Sequence, residues 1–147
     1  MKKLLCFACL LLVGCSPADQ LRSLRIAAVA VSRAKGAIVF VEDTALRGRL
    51  TVYLDSSSKA LAEAATYLES GTITKLQIAT IVNNLTSNIF PALPDSVPRN
   101  VKIILLSANA ATTVFLASLY QLETTSISLT KTDRKLLAET KSILEGK

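Results

Sequence analysis

Between Ile103 and Leu122 the chain runs for about 20 residues without a charged side chain, the length needed to cross a bilayer. Its main apolar stripe is Val101, Ile104, Leu105, Ala108, Phe115, Leu119 and Leu122, at helical spacing. Ile103, Leu106, Ala110, Val114 and Ala117 cover a second face. A helix that is apolar on nearly all sides belongs in the middle of a bundle or in a membrane. Ser107, Asn109, Thr112, Thr113, Ser118 and Gln121 dilute the run. In lipid they need partners, whereas the wet edge of a soluble bundle accommodates them. We therefore expect a helix from about Val97 to Glu123, capped by Asp95 or Ser96 and central to the fold.

The remaining chain is punctuated as helices. Prolines fall only at Pro17, Pro91, Pro94 and Pro98, and glycines are few. Leu21, Leu24, Ala28 and Val31 mark the stripe of a first helix, with Arg22, Arg25 and Arg33 largely off it. The apolar run Ala37 to Val41 either continues that helix, the reading we favour, or forms a short strand. Gly48 marks a break, after which Leu50, Leu54, Ser57, Leu61, Ala64 and Leu68 define a second helix up to Gly71. Thr74 and Gln77 form a capping box, with Ile73 stapled to Ile78, opening a third helix whose stripe is Ile78, Ile81, Val82, Leu85 and Ile89. Pro91 stops it, and the three prolines between Phe90 and Arg99 make a stiff turn. Thr130 and Asp133 start a last helix with Leu136, Leu137, Thr140, Ile143 and Leu144 inside. The expected fold is all-α, a single four- or five-helix bundle over residues 18–147.

The N-terminus has a different composition. Lys2 and Lys3 precede an apolar stretch from Leu4 to Leu12, too short to span a bilayer, and small residues follow it. This is the layout of an export signal, and an ordinary one needs no cysteine at the end. Here Leu12-Val13-Gly14-Cys15 resembles the lipobox of bacterial lipoproteins. The resemblance implies cleavage after residue 14, lipid on Cys15 and a short tether at 15–17. Ser16, where many Gram-negative lipoproteins retained in the inner membrane carry Asp, implies the periplasmic face of the outer membrane. Several acyl chains give lasting attachment where one gives marginal binding.

Cleavage leaves 133 of the 147 residues, enough for one domain with a real core. It also lowers the net charge from +6 to +4 and removes Cys6 and Cys9, so the mature chain has no cysteine pair to bridge. Arg22, Arg25, Arg33 and Lys35, close to the anchor, are candidate contacts with anionic headgroups, with Arg47 and Arg49 further along. A solvated helix face accounts for the same residues equally well. Nucleic-acid binding fits poorly with export despite the pI near 9.4.

Chemistry is sparse. The chain has no histidine and no tryptophan, and its one mature cysteine is taken by lipid, so neither catalysis nor a metal or other cofactor is expected. Ser56-Ser57-Ser58-Lys59 fits the S-x-x-K of penicillin-recognising enzymes, but their S-D-N and K-T-G elements are missing. Glu42-Asp43 are adjacent, as at a solvated helix end, and Asn84-Leu85-Thr86 is an uninformative sequon inside a helix. Tyr53, Tyr67 and Tyr120 are expected at the core edge with their hydroxyls reaching water. The expected role is non-catalytic binding or scaffolding of an envelope protein partner. An alternative takes 103–122 as a span, with Lys131, Arg134 and Lys135 on its cytoplasmic side. That layout resembles the single-chain spanins of bacteriophages, which link both membranes during lysis.

Overall fold

The computed structural model describes residues 17–86, 89–119 and 127–146, and these form five α-helices and no strand. The helices are α1 (Pro17–Ala37), α2 (Thr44–Glu69), α3 (Lys75–Thr86), α4 (Arg99–Leu119) and α5 (Lys131–Glu145), with one 3-10 turn at Ile38–Phe40. An all-α, five-helix bundle is thus the architecture.

The apolar stripes become the core. Leu21, Leu24, Ala28 and Val31 of α1 are buried, as are Leu50, Leu54, Leu61, Ala64 and Leu68 of α2. α1 packs most extensively on α4, and also touches α2 and α5. Gln20 near the start of α1 donates to the carbonyl of Ser118 near the end of α4, so these two helices run antiparallel. α1 and α5 run parallel. Arg25 pairs with Glu139, and over the next three turns of α1 Ala28, Ser32 and Lys35 face Ile143 to Glu145. α3 folds back on α2, with Asn84 donating to Glu63.

Several expectations need correction. Gly48 does not break a helix: α2 starts four residues earlier, at Thr44, behind the cap Asp43, whose Oδ1 accepts the amide of Leu46 at 2.9 Å. A mid-helix glycine costs about 1 kcal/mol, which the flanking buried Leu46 and Leu50 outweigh. The Ala37 to Val41 run leaves the α-helix at Ala37 for a single 3-10 turn, with Val39 and Phe40 exposed. Ile89 lies off the α3 stripe and is 87% exposed, because the described helix ends at Thr86.

α4 also differs. Its first carbonyl acceptor is Pro98, which takes the amide of Lys102, while the Asp95 carboxylate takes the Lys102 ammonium instead of capping. Val101, Leu105, Ala108, Thr112, Phe115 and Leu119 are buried. The second face is not: Ile103, Leu106, Ala110, Val114 and Ala117 are all exposed. The helix therefore forms one wall of the bundle, and α1, between α2, α4 and α5, takes the central place. Leu122 and the expected end at Glu123 lie outside the described residues.

Both capping boxes are present. Gln77 Oε1 accepts the amide of Thr74 while Thr74 Oγ1 accepts that of Gln77. Thr130 and Asp133 exchange the same pair of bonds, and the Thr130 hydroxyl, followed by its backbone amide, donates to the Asp133 carboxylate and holds that carboxyl below the usual range. Ile73 and Ile78 are both buried, as a staple requires.

Candidate functional site

The signal-cleavage motif Leu12, Val13, Gly14 and the lipidation candidate Cys15 lie outside the described residues, as does Tyr120. The described chain begins two residues later, at Pro17, already helical. The end of the bundle nearest Cys15 therefore gathers the start of α1, the end of α4 and, because α5 is parallel to α1, the start of α5.

That parallel pairing makes an open cleft of ≈ 540 Å³ between α1 and α5. Arg22 and Arg25 enter it from α1, and Lys135 and Glu139 from α5, with Ile26 and Leu136 as the apolar walls. Arg25 Nη1 lies 3.2 Å from the Glu139 carboxylate and Arg22 Nη1 lies 3.8 Å from that of Asp19. Pairs this exposed hold their side chains weakly. Lys135 has no described ion-pair partner, and Ile26 is 63% exposed. Behind this end, Gln20 is buried, and its Oε1 has no described hydrogen-bond partner.

The four candidate membrane contacts separate in space. Arg22 and Arg25 share the cleft. Arg33 stands exposed more than two turns up α1, and Lys35 is engaged by Asp55 at 2.8 Å. Sequence proximity to Cys15 did not reveal Lys135, which is 120 residues away along the chain. The only local signal was the basic character of Lys131, Arg134 and Lys135 at the helix start.

A second cleft lies on the other side. Tyr53 donates to Asn109 Oδ1 at 2.6 Å, and its ring meets Phe90 edge-on at 5.1 Å. Tyr53 is buried deeper than the core-edge expectation placed it, with its hydroxyl donating to Asn109, while Tyr67 does sit half-buried. Burial pushes the Tyr53 phenol above its ordinary pKa. Around it open two shallow hollows, of ≈ 540 and ≈ 210 Å³, both bordered by Tyr53 and the exposed Ile89.

The serine run is structural in its placement. Ser57 donates to the carbonyl of Tyr53 and Ser58 to that of Leu144, while Lys59 is exposed. Asp43 of the Glu42-Asp43 pair is the α2 cap, and Asn84 of the sequon lies within α3. Among the described residues, no three His, Cys, Asp or Glu side chains form a group able to hold a metal. No family model, curated protein or solved structure matches this chain.

Proposed function

We propose that this chain is a lipid-anchored lipoprotein of the bacterial envelope, facing the periplasm from the outer membrane, and that it acts by binding a protein partner. The observation that carries the reading is the position of Leu12-Val13-Gly14-Cys15, two residues before α1 begins at Pro17. So short a tether keeps the bundle against the bilayer surface. Exposed apolar side chains support the binding role: Val52 and Ile89 border the Tyr53 cleft, and Ile103, Leu106 and Val114 line the outer face of α4. Grouped apolar exposure of this kind is a mark of interaction surfaces.

The test is metabolic labelling with a tagged fatty acid, followed by membrane fractionation. The wild type takes up label and sediments with the outer membrane, and Cys15→Ala does neither. Label that persists in Cys15→Ala overturns the anchor.

A second reading, a spanin-like link between outer and inner membranes, is favoured by one feature of α4. It is long and apolar enough to cross a bilayer, and only 28% of its apolar window is buried. Protease treatment of spheroplasts separates the two: a periplasmic bundle leaves the C-terminal segment accessible, whereas a span protects it until the inner membrane is opened.

A further inference from the structure

We propose that the cleft between α1 and α5 holds the phosphodiester headgroup of an anionic phospholipid in the bilayer that carries the Cys15 anchor. The inference rests on the lipoprotein reading and assigns the cleft a ligand.

The cleft places two guanidinium groups and an ammonium around one opening, against the carboxylate of Glu139 in its lining and that of Asp19 beside Arg22. Arg25 spends only part of its fork on that carboxylate, since a guanidinium has five N–H donors. Arg22 is 75% exposed, and Lys135 is exposed with no ion-pair partner among the described residues, so both can turn to a phosphate. Lys131 stands one turn before Lys135 on the same face of α5, extending the positive edge toward the anchor.

The walls choose between a lipid and a free anion. Inorganic phosphate gains nothing from Ile26, which holds its side chain in water at 63% exposure, or from Leu136 beside it. A phospholipid covers both with its glycerol and first methylenes. Height above the membrane agrees. At 1.5 Å per residue, Arg22 sits roughly 8 Å from the start of α1, while Arg33 sits roughly 24 Å from it, about two Debye lengths further along the helix.

The test uses the full chain expressed with its own N-terminus, purified from membranes in dodecyl maltoside and examined by native mass spectrometry. Phosphatidylglycerol, phosphatidylcholine or inorganic phosphate is added in separate arms. The wild type retains phosphatidylglycerol at about one-tenth the concentration needed for phosphatidylcholine, and an equal concentration of inorganic phosphate does not displace it. Lys135→Glu weakens retention about tenfold, whereas Arg33→Glu, with the same change in net charge, alters it less than about twofold. The milder Arg22→Gln falls between them, and thermal melts confirm that all three variants are folded. Equal retention of the two lipids, displacement by inorganic phosphate, or equal losses in Lys135→Glu and Arg33→Glu each overturn the proposal. The same spectra report the mass added to Cys15, so loss of the lipoprotein reading is seen separately from loss of the headgroup site.

Discussion

The Tyr53 hydroxyl donates to Asn109 Oδ1 across 2.6 Å, tying the middle of α2 to the middle of α4. α2 and α4 share few direct backbone approaches, since each packs mainly on other helices. This side-chain bond, with the edge-on contact to Phe90, therefore fixes the wall of the Tyr53 cleft. Tyr53→Phe keeps the ring and leaves Asn109 Oδ1 short of a donor. It should cost about 1–2 kcal/mol in urea unfolding. Adding Asn109→Leu should restore part of that loss, and simple additivity of the two changes would show that the bond contributes nothing.

The same phenol gives a pH dependence at the alkaline end. Its pKa is raised in the folded state by burial, so the folded chain holds the proton more tightly than the unfolded one. The stabilisation is present in full below the unfolded pKa, about 10, and is lost as pH rises through the folded value. Ultraviolet titration of phenolate should show one of the three tyrosines ionising late, and Tyr53→Phe should remove that step.

Gly48 and Gly71 should respond oppositely to alanine. At Gly48, inside α2, an added Cβ meets nothing within 4 Å, so Gly48→Ala should stabilise by about 0.5–1 kcal/mol through helix propensity and a less flexible unfolded chain. Gly71 has φ +76°, its carbonyl accepts the amide of Ile127, and a Cβ there lies 3.1 Å from the Ile127 carbonyl oxygen. Gly71→Ala should destabilise by about 1–2 kcal/mol. Thermal unfolding of the two variants reads the contrast directly.

These two glycines also show what a single chain reveals. Local rules read the capping boxes at Thr74 and Thr130 correctly, because each involves side chains three residues apart. They misread Gly48, because a glycine's modest helix penalty is settled by burial of Leu46 and Leu50, which is a property of the whole bundle. The stripe of α4 was legible, whereas the exposure of its second face was not: hydropathy alone does not reveal that α1 packs on one side while no described helix covers the other. The basic cleft was half legible. Arg22 and Arg25 were visible as charges near the N-terminus, but their meeting with Lys135 depends on α5 running parallel to α1.

The cap of α5 should weaken in acid. Asp133 is held below the usual carboxylate range by bonds from Thr130, so its contribution is present above the unfolded pKa, about 4, and is lost as pH falls through the lower folded value. Thr130→Ala removes the hydroxyl that accepts the Asp133 amide and donates to its carboxylate, keeps the backbone amide bond to that carboxylate, and should cost about 1 kcal/mol at neutral pH. The difference between wild type and Thr130→Ala should shrink as pH falls through the lowered folded value of Asp133, where the carboxylate that takes the Thr130 hydroxyl bond is neutralised. A difference that stays constant with pH would place the effect outside the Asp133 carboxylate.

The two faces of α4 separate a bundle wall from a membrane span. Leu105 is fully buried against the core, so Leu105→Ala should cost about 2–5 kcal/mol in a bundle. Ala110 is exposed near the middle of the helix, so Ala110→Arg on a bundle wall should change stability by less than about 0.5 kcal/mol. In a span the same arginine stands near the bilayer centre and costs about 2.5–3.5 kcal/mol of insertion free energy. Leu105→Ala then loses little, because lipid fills the space beside it. Expression and unfolding of the two variants in parallel therefore give opposite rankings. A tolerated Ala110→Arg with a destabilised Leu105→Ala keeps the outer face of α4 out of lipid and in water, where Ile103, Leu106 and Val114 are open to a protein partner.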